Sequence, residues 1–398
     1  MDKIIPNKPI TGTLRAPESK SYAHRYLIAS ALSGKKSSVV ITNESDDVMA
    51  TKNSIEAIVA AKEKDEPATV YCKDSGSTFR FLLPIASALG VDTKFIISKT
   101  LATRPTEPLY LNLKSHGATL KTLDYEDSCC IRIRDCITPG AYEIAGNISS
   151  QFVSGLLFAL PLLHKDSTLA VKGDMQSKSY VDMTIAVLHE ANIEIIEEPT
   201  GGMEDVSAFY KIPGNQKYYL EGEKQIEGDW SNAAFWLTAG ALSGPVTCTG
   251  LNLNSLQGDM EIMNILKNFG ANVVTDGDSV TVSKAPMKAI DVDLADIPDL
   301  IPEIALLDYA AEGETHIKNT ERLKFKESNR VKTVQSIVDK LKEENDAEMI
   351  ETECFADHRI AMMAAIAACT AKKPIKIIGA EAVSKSYPGF FEQLEKLM

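Results

Sequence analysis

The 398-residue chain carries 42 Lys and Arg against 55 Asp and Glu, a formal net charge of −13, with 44% hydrophobic and 24% charged residues. That composition is ordinary for a soluble globular protein, and the length supports two large domains with cores of their own. The acidic balance argues against nucleic acid or an anionic membrane as partner, and any anion site must gather its Lys and Arg locally. Seven cysteines (Cys72, Cys129, Cys130, Cys136, Cys248, Cys354, Cys369) form no CxxC pair and have no His at zinc spacing. They read as reduced thiols with no metal site. The longest apolar run, 152–163, falls short of the ~20 residues of a membrane span. Met1-Asp2-Lys3 leads into an Ile-rich segment and not a secretory leader, so a cytoplasmic location is expected.

In chain order, residues 1–15 read as strand and could belong to either half. Ser19-Lys20-Ser21-Tyr22-Ala23-His24-Arg25 then opens a helix with a hydroxyl-rich start, an apolar body at 26–32 and a stop at Gly34. Ser21 and Arg25 share a face, and Lys20 lies at the helix mouth, where free N–H groups and the macrodipole favour negative charge. The group is either a seat for phosphate or carboxylate, or a capped surface helix with two solvated cations. Segments 79–89, 152–163, 233–242, 300–311 and 360–370 are apolar nearly all round and are predicted to be buried helices. One pattern recurs: 108–133 reads as helix, Gly117-Ala118, then two strands around an acidic turn. Segment 261–282 repeats it with Gly270-Ala271 and Asp276-Gly277-Asp278, and 181–196 with Ala191-Asn192. Two further copies, 48–72 and 331–355, keep the helix but show no Gly-Ala turn or clear hairpin, and carry charged runs at 62–66 and 340–346. Such units indicate an α/β class with mixed sheets. The polar passage 214–228 is the predicted domain boundary.

Two of the apolar helices also open on small or hydroxyl residues, Asp74-Ser75-Gly76-Ser77-Thr78 and Gly146-Asn147-Ile148-Ser149-Ser150-Gln151. A lone case is an N-cap. Three, counting Ser19 to Ser21, suggest termini that converge on one polar cleft, each worth roughly 0.3–1 kcal/mol to an anion. Basic groups stand at Arg104-Pro105, Ser177-Lys178-Ser179-Tyr180, Asp357-His358-Arg359 and Lys385-Ser386-Tyr387-Pro388. Lys326-Glu327-Ser328-Asn329-Arg330 sets two cations at i, i+4. Singly, 326–330 reads as a solvated helix face, and Asp299 and Asp357 as caps. His116, His164, His189 and His316 read as structural or exposed. The absence of GxxxxGK[ST], GxGxxG after a strand, HExxH and GxSxG removes P-loop kinases, simple dinucleotide enzymes, zincins and α/β hydrolases. What remains fits transfer chemistry on phosphorylated acids.

The ordered set becomes specific as a whole. It comprises Ser19-Lys20-Ser21 with Arg25, Gly76 with Arg80, Arg104-Pro105, Ser149-Ser150-Gln151-Phe152, Ser177-Lys178-x-Tyr180 and Ser255-Leu256-Gln257-Gly258-Asp259. It continues with Ile297-Pro298-Asp299, Lys326-Glu327-x-x-Arg330, Asp357-His358-Arg359 and Lys385-x-Tyr387-Pro388. Over essentially the whole chain these motifs closely resemble the EPSP synthase (3-phosphoshikimate 1-carboxyvinyltransferase) family of enolpyruvyl transferases.

The resemblance implies a two-domain inside-out α/β barrel, each domain built from three βαβαββ repeats, closing at a hinge near residues 18 and 228. Domain I would be 1–18 plus 228–398, and domain II 19–227. It also implies transfer of the enolpyruvyl group of phosphoenolpyruvate to the 5-hydroxyl of shikimate 3-phosphate, with release of phosphate, in the shikimate pathway. No metal or organic cofactor is implied, the protein would act as a monomer, and glyphosate would compete at the phosphoenolpyruvate end. By motif, Ser21, Arg25, Ser149, Ser150, Ser177 and Lys326 would hold shikimate 3-phosphate, with Lys20 and Gln151 touching both substrates. Gly76, Arg104, Arg330, Arg359 and Lys385 would hold phosphoenolpyruvate, and Tyr180 and His358 would support them. Asp299 would be the base for the 5-hydroxyl, and Glu327 the acid that protonates the methylene carbon. The residue types suit the chemistry: fixed cations offset two mutually repelling polyanions, and two carboxylates move the two protons.

Three positions depart from the family pattern: Arg322, where some members have an asparagine that contacts the shikimate phosphate, and Asp74 and Ser77 in place of Asn and Thr. A sister enzyme acting on UDP-N-acetylglucosamine shares the fold, but it usually carries a reactive cysteine before its Arg-Pro, and 97–103 holds none. Intact Asp299 and Glu327 argue against an inactive anion-binding relative.

Overall fold

The computed structural model describes residues 1–34, 37–343 and 346–398. Local sequence sets the repeating unit. Along strand Ala68–Lys73 alternate side chains turn inward, with Val70 and Cys72 buried and Tyr71 56% exposed, as expected of a strand with one face on a core. The helices that follow such strands are apolar on most sides, and nearly every residue of Gly76–Ala88 is buried.

The chain divides into two compact units. The first comprises Lys20–Ile41 and Asp46–Ile226. Strands Ala68–Lys73, Thr93–Ile97, Ser128–Arg134 and Thr119–Tyr125 lie side by side in that order, the first pair parallel and the rest antiparallel. Strands Ala141–Ala145, Ser167–Lys172, Val206–Ile212 and Ile196–Glu198 repeat the same order and directions. A third sheet pairs Gly222–Gln225 with Ser37–Val40 in parallel. Helix Ser150–Ala159 packs on Gly76–Ala88. Their contact is set by Gly155: a β-carbon there would lie 2.4 Å from the Arg80 carbonyl oxygen. Pro84, four residues on, has no N–H to offer that carbonyl, so proline and glycine together open a close crossing.

The second unit comprises Met1–Ser19, Thr42–Ser45 and Glu227–Met398. Strands Gly12–Arg15, Val246–Thr249, Ser279–Ser283 and Asn272–Asp276 reproduce the same order of one parallel and two antiparallel pairings. Ile350–Glu353 and Ile375–Ile378 run parallel, with Asp2–Ile5 added antiparallel. Asp291–Asp293 pairs with His316–Lys318. Helices Trp230–Leu242, Ile301–Ala310, Arg330–Lys342 and His358–Ala367 pack into one buried layer. The chain passes out and back through paired backbone at residues 17–19 and 227–229, where Ser19 N–H donates to the Glu227 carbonyl and Asp229 N–H to that of Pro17.

The five apolar helices are buried as read, and the Gly-Ala turns lead into hairpins. Four details differ. Residues 1–15 form two strands in two sheets, interrupted around Pro6. The passage 214–228 contains strand Gly222–Gln225. The α-helix expected over 152–163 ends at Ala159 and continues as a 3₁₀ turn, Leu160–Leu162, that holds Pro161. The helix expected to reach 370 stops at Ala367. Of the shortened copies, 48–72 is helix Asp46–Lys64 followed by the strand that begins the next unit. Segment 331–355 is helix Arg330–Lys342 and strand Ile350–Glu353, with 344–345 outside the described residues. Among the described residues no helix is long and apolar enough to cross a membrane.

Candidate active site

In the first unit, helix mouths place the predicted residues. Lys20 begins helix Lys20–Leu32 and its ammonium donates to Asp47 at 2.8 Å. Arg25, one turn on, is buried. Its guanidinium donates to the Ser21 carbonyl at 2.6 Å, to the Tyr180 carbonyl at 2.6 Å and to Thr184 Oγ1 at 2.8 Å. Burial lowers its pKa to about 10. Tyr180 thus takes part through its backbone in these bonds, next to Ser177, which caps helix Lys178–Glu190 from a left-handed conformation (φ 58°). For a residue with a β-carbon that is a strained setting of the kind found at ligand-binding positions.

Gly76, Arg104 and Gln151 come together. A β-carbon on Gly76 would stand 3.2 Å from Arg104 Nη1, 3.4 Å from Arg80 Nη1 and 3.5 Å from Gln151 Oε1. Gln151 is held at both ends of its amide: Oε1 accepts from Arg80 at 2.8 Å and Nε2 donates to Ser77 Oγ at 3.0 Å. Arg80 also donates to the Pro105 carbonyl at 2.9 Å, which fixes the turn after Arg104. Ser149 caps helix Ser150–Ala159 by accepting from the Gln151 amide, so Ser149, Ser150 and Gln151 share one helix mouth. Ser77 therefore keeps a polar role beside Gly76, and Asp74 accepts from Ser98.

In the second unit the centre is Arg330, a nearly fully buried guanidinium among three carboxylates. It donates to Asp299 Oδ1 at 2.5 Å, to Glu327 Oε2 at 2.6 Å and to Asp357 Oδ2 at 2.9 Å. Asp299 also accepts from Lys326 at 3.0 Å and from Arg359 Nη2 at 3.3 Å. Burial by itself would raise the Asp299 pKa; the charges of Arg359, Lys326 and Arg330 outweigh it and hold the carboxyl well below its ordinary range. Lys326 is shifted down, by burial first, against the pull of Asp299. Arg330 is shifted up because Asp357, Glu327 and Asp299 overcome its burial. Lys385 Nζ donates to the Ala356 carbonyl at 2.7 Å, immediately before Asp357. His358, buried, opens helix His358–Ala367 beside Arg359.

The expected helical i, i+4 relation between Lys326 and Arg330 is not realised. Lys326 follows a 3₁₀ turn in extended backbone, and the helix begins only at Arg330. The two cations meet through Asp299, not along a helix face. Asp357 is the cap it was read to be, accepting from the Arg359 amide at 3.0 Å, and in addition a partner of Arg330. Arg322 donates to the Ala295 carbonyl.

Residue reading by itself left Arg80, Asp47 and Asp259 without roles. Arg80 and Asp259 lay inside quoted motifs, but only long-range contacts show what they hold. Asp259 is buried, accepts from Ser231, and is pushed up to about 6, first by burial and then by Asp299 and Asp229, against the pull of Arg359 and Ser231.

The model of the EPSP synthase (3-phosphoshikimate 1-carboxyvinyltransferase) family matches residues 4–394. Curated relatives named 3-phosphoshikimate 1-carboxyvinyltransferase include one from Brachyspira hyodysenteriae, 38% identical, covering 100% of this chain and 99% of the relative. Another, from Clostridium kluyveri, is 36% identical over 99% and 96%. Among solved structures, an EPSP synthase from Acinetobacter baumannii superposes with a TM-score of 0.75 at 21% identity, covering 100% and 98%. The enolpyruvyl transferase NikO from Streptomyces tendae gives 0.71 at 17%, covering 100% and 97%. The chain belongs to the EPSP synthase (3-phosphoshikimate 1-carboxyvinyltransferase) family.

Proposed function

We propose that this protein transfers the enolpyruvyl group of phosphoenolpyruvate to the 5-hydroxyl of shikimate 3-phosphate and releases phosphate. The observation that carries the mechanism is the environment of Asp299, a carboxylate that accepts from Lys326, Arg330 and Arg359 together. In that setting it is ionised at neutral pH but a poor base, because three cations hold its charge. Substrate anions compete for the same cations. As Arg330 and Arg359 turn to the phosphoenolpyruvate, Asp299 loses its neutralising partners and its proton affinity rises toward what abstraction of the 5-hydroxyl proton requires. Glu327 shares Arg330 with Asp299 and would deliver the other proton, to the methylene carbon; a proton leaves that carbon again as phosphate departs and the enol double bond re-forms. The base that serves one substrate is thus switched on by the binding of the other.

Phosphoenolpyruvate would further engage Gly76, Arg104 and Lys385, with Lys20 and Gln151 common to both substrates. Ser21, Arg25, Ser149, Ser150, Ser177 and Lys326 would hold shikimate 3-phosphate, supported by Tyr180 and His358. Gly76 supports this placement because it leaves room beside two guanidinium groups and an amide where any side chain would intrude. On this reading the domains are 1–18 plus 228–398 and 19–227, each an inside-out α/β barrel of three βαβαββ repeats, acting as a monomer in the cytoplasm without metal or organic cofactor. The reading is tested by offering the purified protein phosphoenolpyruvate with either shikimate 3-phosphate or UDP-N-acetylglucosamine. The first acceptor alone should be consumed; turnover of the second would overturn the choice.

A further inference from the structure

Helix Ile301–Ala310 follows Asp299 directly and buries an almost wholly apolar face, with one exception. Glu303 is 0% exposed, and among the described residues no other residue hydrogen-bonds either of its carboxylate oxygens. A buried ion left in that state is costly, so the group favours its neutral form. What surrounds it is specific. Helix His358–Ala367 packs on this helix and brings Arg359; the 3₁₀ turn Gly258–Glu261 brings Asp259, whose Oδ1 is likewise unbonded; Asp299 lies one turn away. Helix Trp230–Leu242, packed on the same helix, has no ionisable side chain. Helix Arg330–Lys342 contributes Arg330, which is taken by Asp299, Glu327 and Asp357. One guanidinium, Arg359, therefore serves three carboxyls. In the structure it bonds only one of them, and loosely, donating to the Asp299 carbonyl and to Oδ2 at 3.3 Å each.

We propose that Glu303 is a positioning residue for Arg359 that works as a neutral acid: protonated, it leaves the guanidinium to the carboxylate of phosphoenolpyruvate, and ionised, it draws the guanidinium back and competes with the substrate. The proposal rests on the reading of Arg359 as a phosphoenolpyruvate ligand. The charge state follows from the surroundings. Burial raises the Glu303 pKa, Arg359 and then the residue's own backbone N–H pull it down, and Asp259 and Asp299 push it up again, for a net shift well above the ordinary carboxylate range. With the folded pKa raised, the carboxyl keeps its proton to higher pH than an ordinary carboxylate and loses it as the pH rises further.

The test compares wild type with Glu303→Gln, which keeps the shape of the neutral acid but cannot ionise. The KM for phosphoenolpyruvate is measured from pH 7.5, where the substrate phosphate is already ionised, to pH 9.5, with the KM for shikimate 3-phosphate as control. Wild type should show a rise of about fivefold or more for phosphoenolpyruvate, limited to about tenfold per pH unit for one proton. Glu303→Gln should show a flat profile, and the control should be the same in both. Coincident profiles for the two proteins would overturn the proposal. Infrared difference spectra supply a readout that needs no turnover. The wild type should retain a protonated carboxyl band above pH 7.5 that is missing from Glu303→Gln, and its absence would equally overturn the proposal. A protein that shows the band but turns over neither substrate would refute the functional reading instead.

Discussion

Arg330 shows how single side chains set the chemistry of this site. Three carboxylates converge on it, so removing Arg330 itself would leave the fully buried Asp357 without its cation, a change that typically costs about 3–5 kcal/mol. Asp299 and Glu327 are the members exposed enough to meet a substrate, with 18% and 20% of their side chains accessible, whereas Asp357 is fully buried. Asp299→Ala should lower kcat by about 10²–10⁴-fold, the usual worth of a proton transfer. The KM for phosphoenolpyruvate should stay level or fall if, as proposed, Asp299 competes with the substrate for Arg330 and Arg359. A raised KM with kcat intact would show Asp299 to be a binding residue only. At Gly76 an added methyl would meet Arg104 Nη1 at 3.2 Å and Arg80 Nη1 at 3.4 Å, so the guanidinium groups must yield. Gly76→Ala should raise the KM for phosphoenolpyruvate and weaken competitive inhibition by glyphosate, each by about tenfold, or ~1.4 kcal/mol. Unchanged inhibition would show that Gly76 does not face that ligand. Much of this was legible in the sequence as residue types at helix openings. The partnerships were not: Asp357 looked like a cap and Lys326 like a solvated lysine, because neither spacing nor composition reveals which distant charge a side chain will meet.

At the level of elements, the crossing of helices Gly76–Ala88 and Ser150–Ala159 governs the position of Arg80 and Gln151 together. Gly155→Ala would set a β-carbon 2.4 Å from the Arg80 carbonyl oxygen, and the helices would have to separate. Overpacking of this kind typically costs about 1–3 kcal/mol. A shifted Arg80 would also release Gln151, so both stability to urea and the KM values should worsen. Denaturation and kinetics on the same preparation check this; loss of neither would mean that the crossing has slack. The apolar helices and the Gly-Ala hairpins were readable because each is written within about twenty consecutive residues, as a period or a turn signal. Strand Gly222–Gln225 was not, since it pairs with Ser37–Val40 far earlier in the chain and its own charged sequence carries no alternation. The division of residues 1–15 between two sheets escaped notice for the same reason: the partners, Ile375–Ile378 and Val246–Thr249, lie more than two hundred residues away.

For the whole molecule, three sheets with one strand order recur across two units of the chain, and each unit carries its own half of the residue set. Lys20, Arg25, Gly76, Arg104, Gln151 and Ser177 belong to the first, and Asp299, Lys326, Glu327, Arg330, Arg359 and Lys385 to the second. An excess of acidic residues overall makes such local gatherings of cations the natural seats for anionic substrates. The membership of residues 42–45 in the second unit had no signature in the sequence; it rests on Asn43, whose side-chain amide donates to the Ser386 carbonyl at 2.9 Å and whose backbone N–H meets Glu18. The most direct test of the account is phosphate release by the pure protein supplied with phosphoenolpyruvate alone, shikimate 3-phosphate alone, and both together. Release only in the third case, one phosphate for each acceptor consumed, is the predicted result. Equal release from phosphoenolpyruvate alone, or none with both, would contradict it.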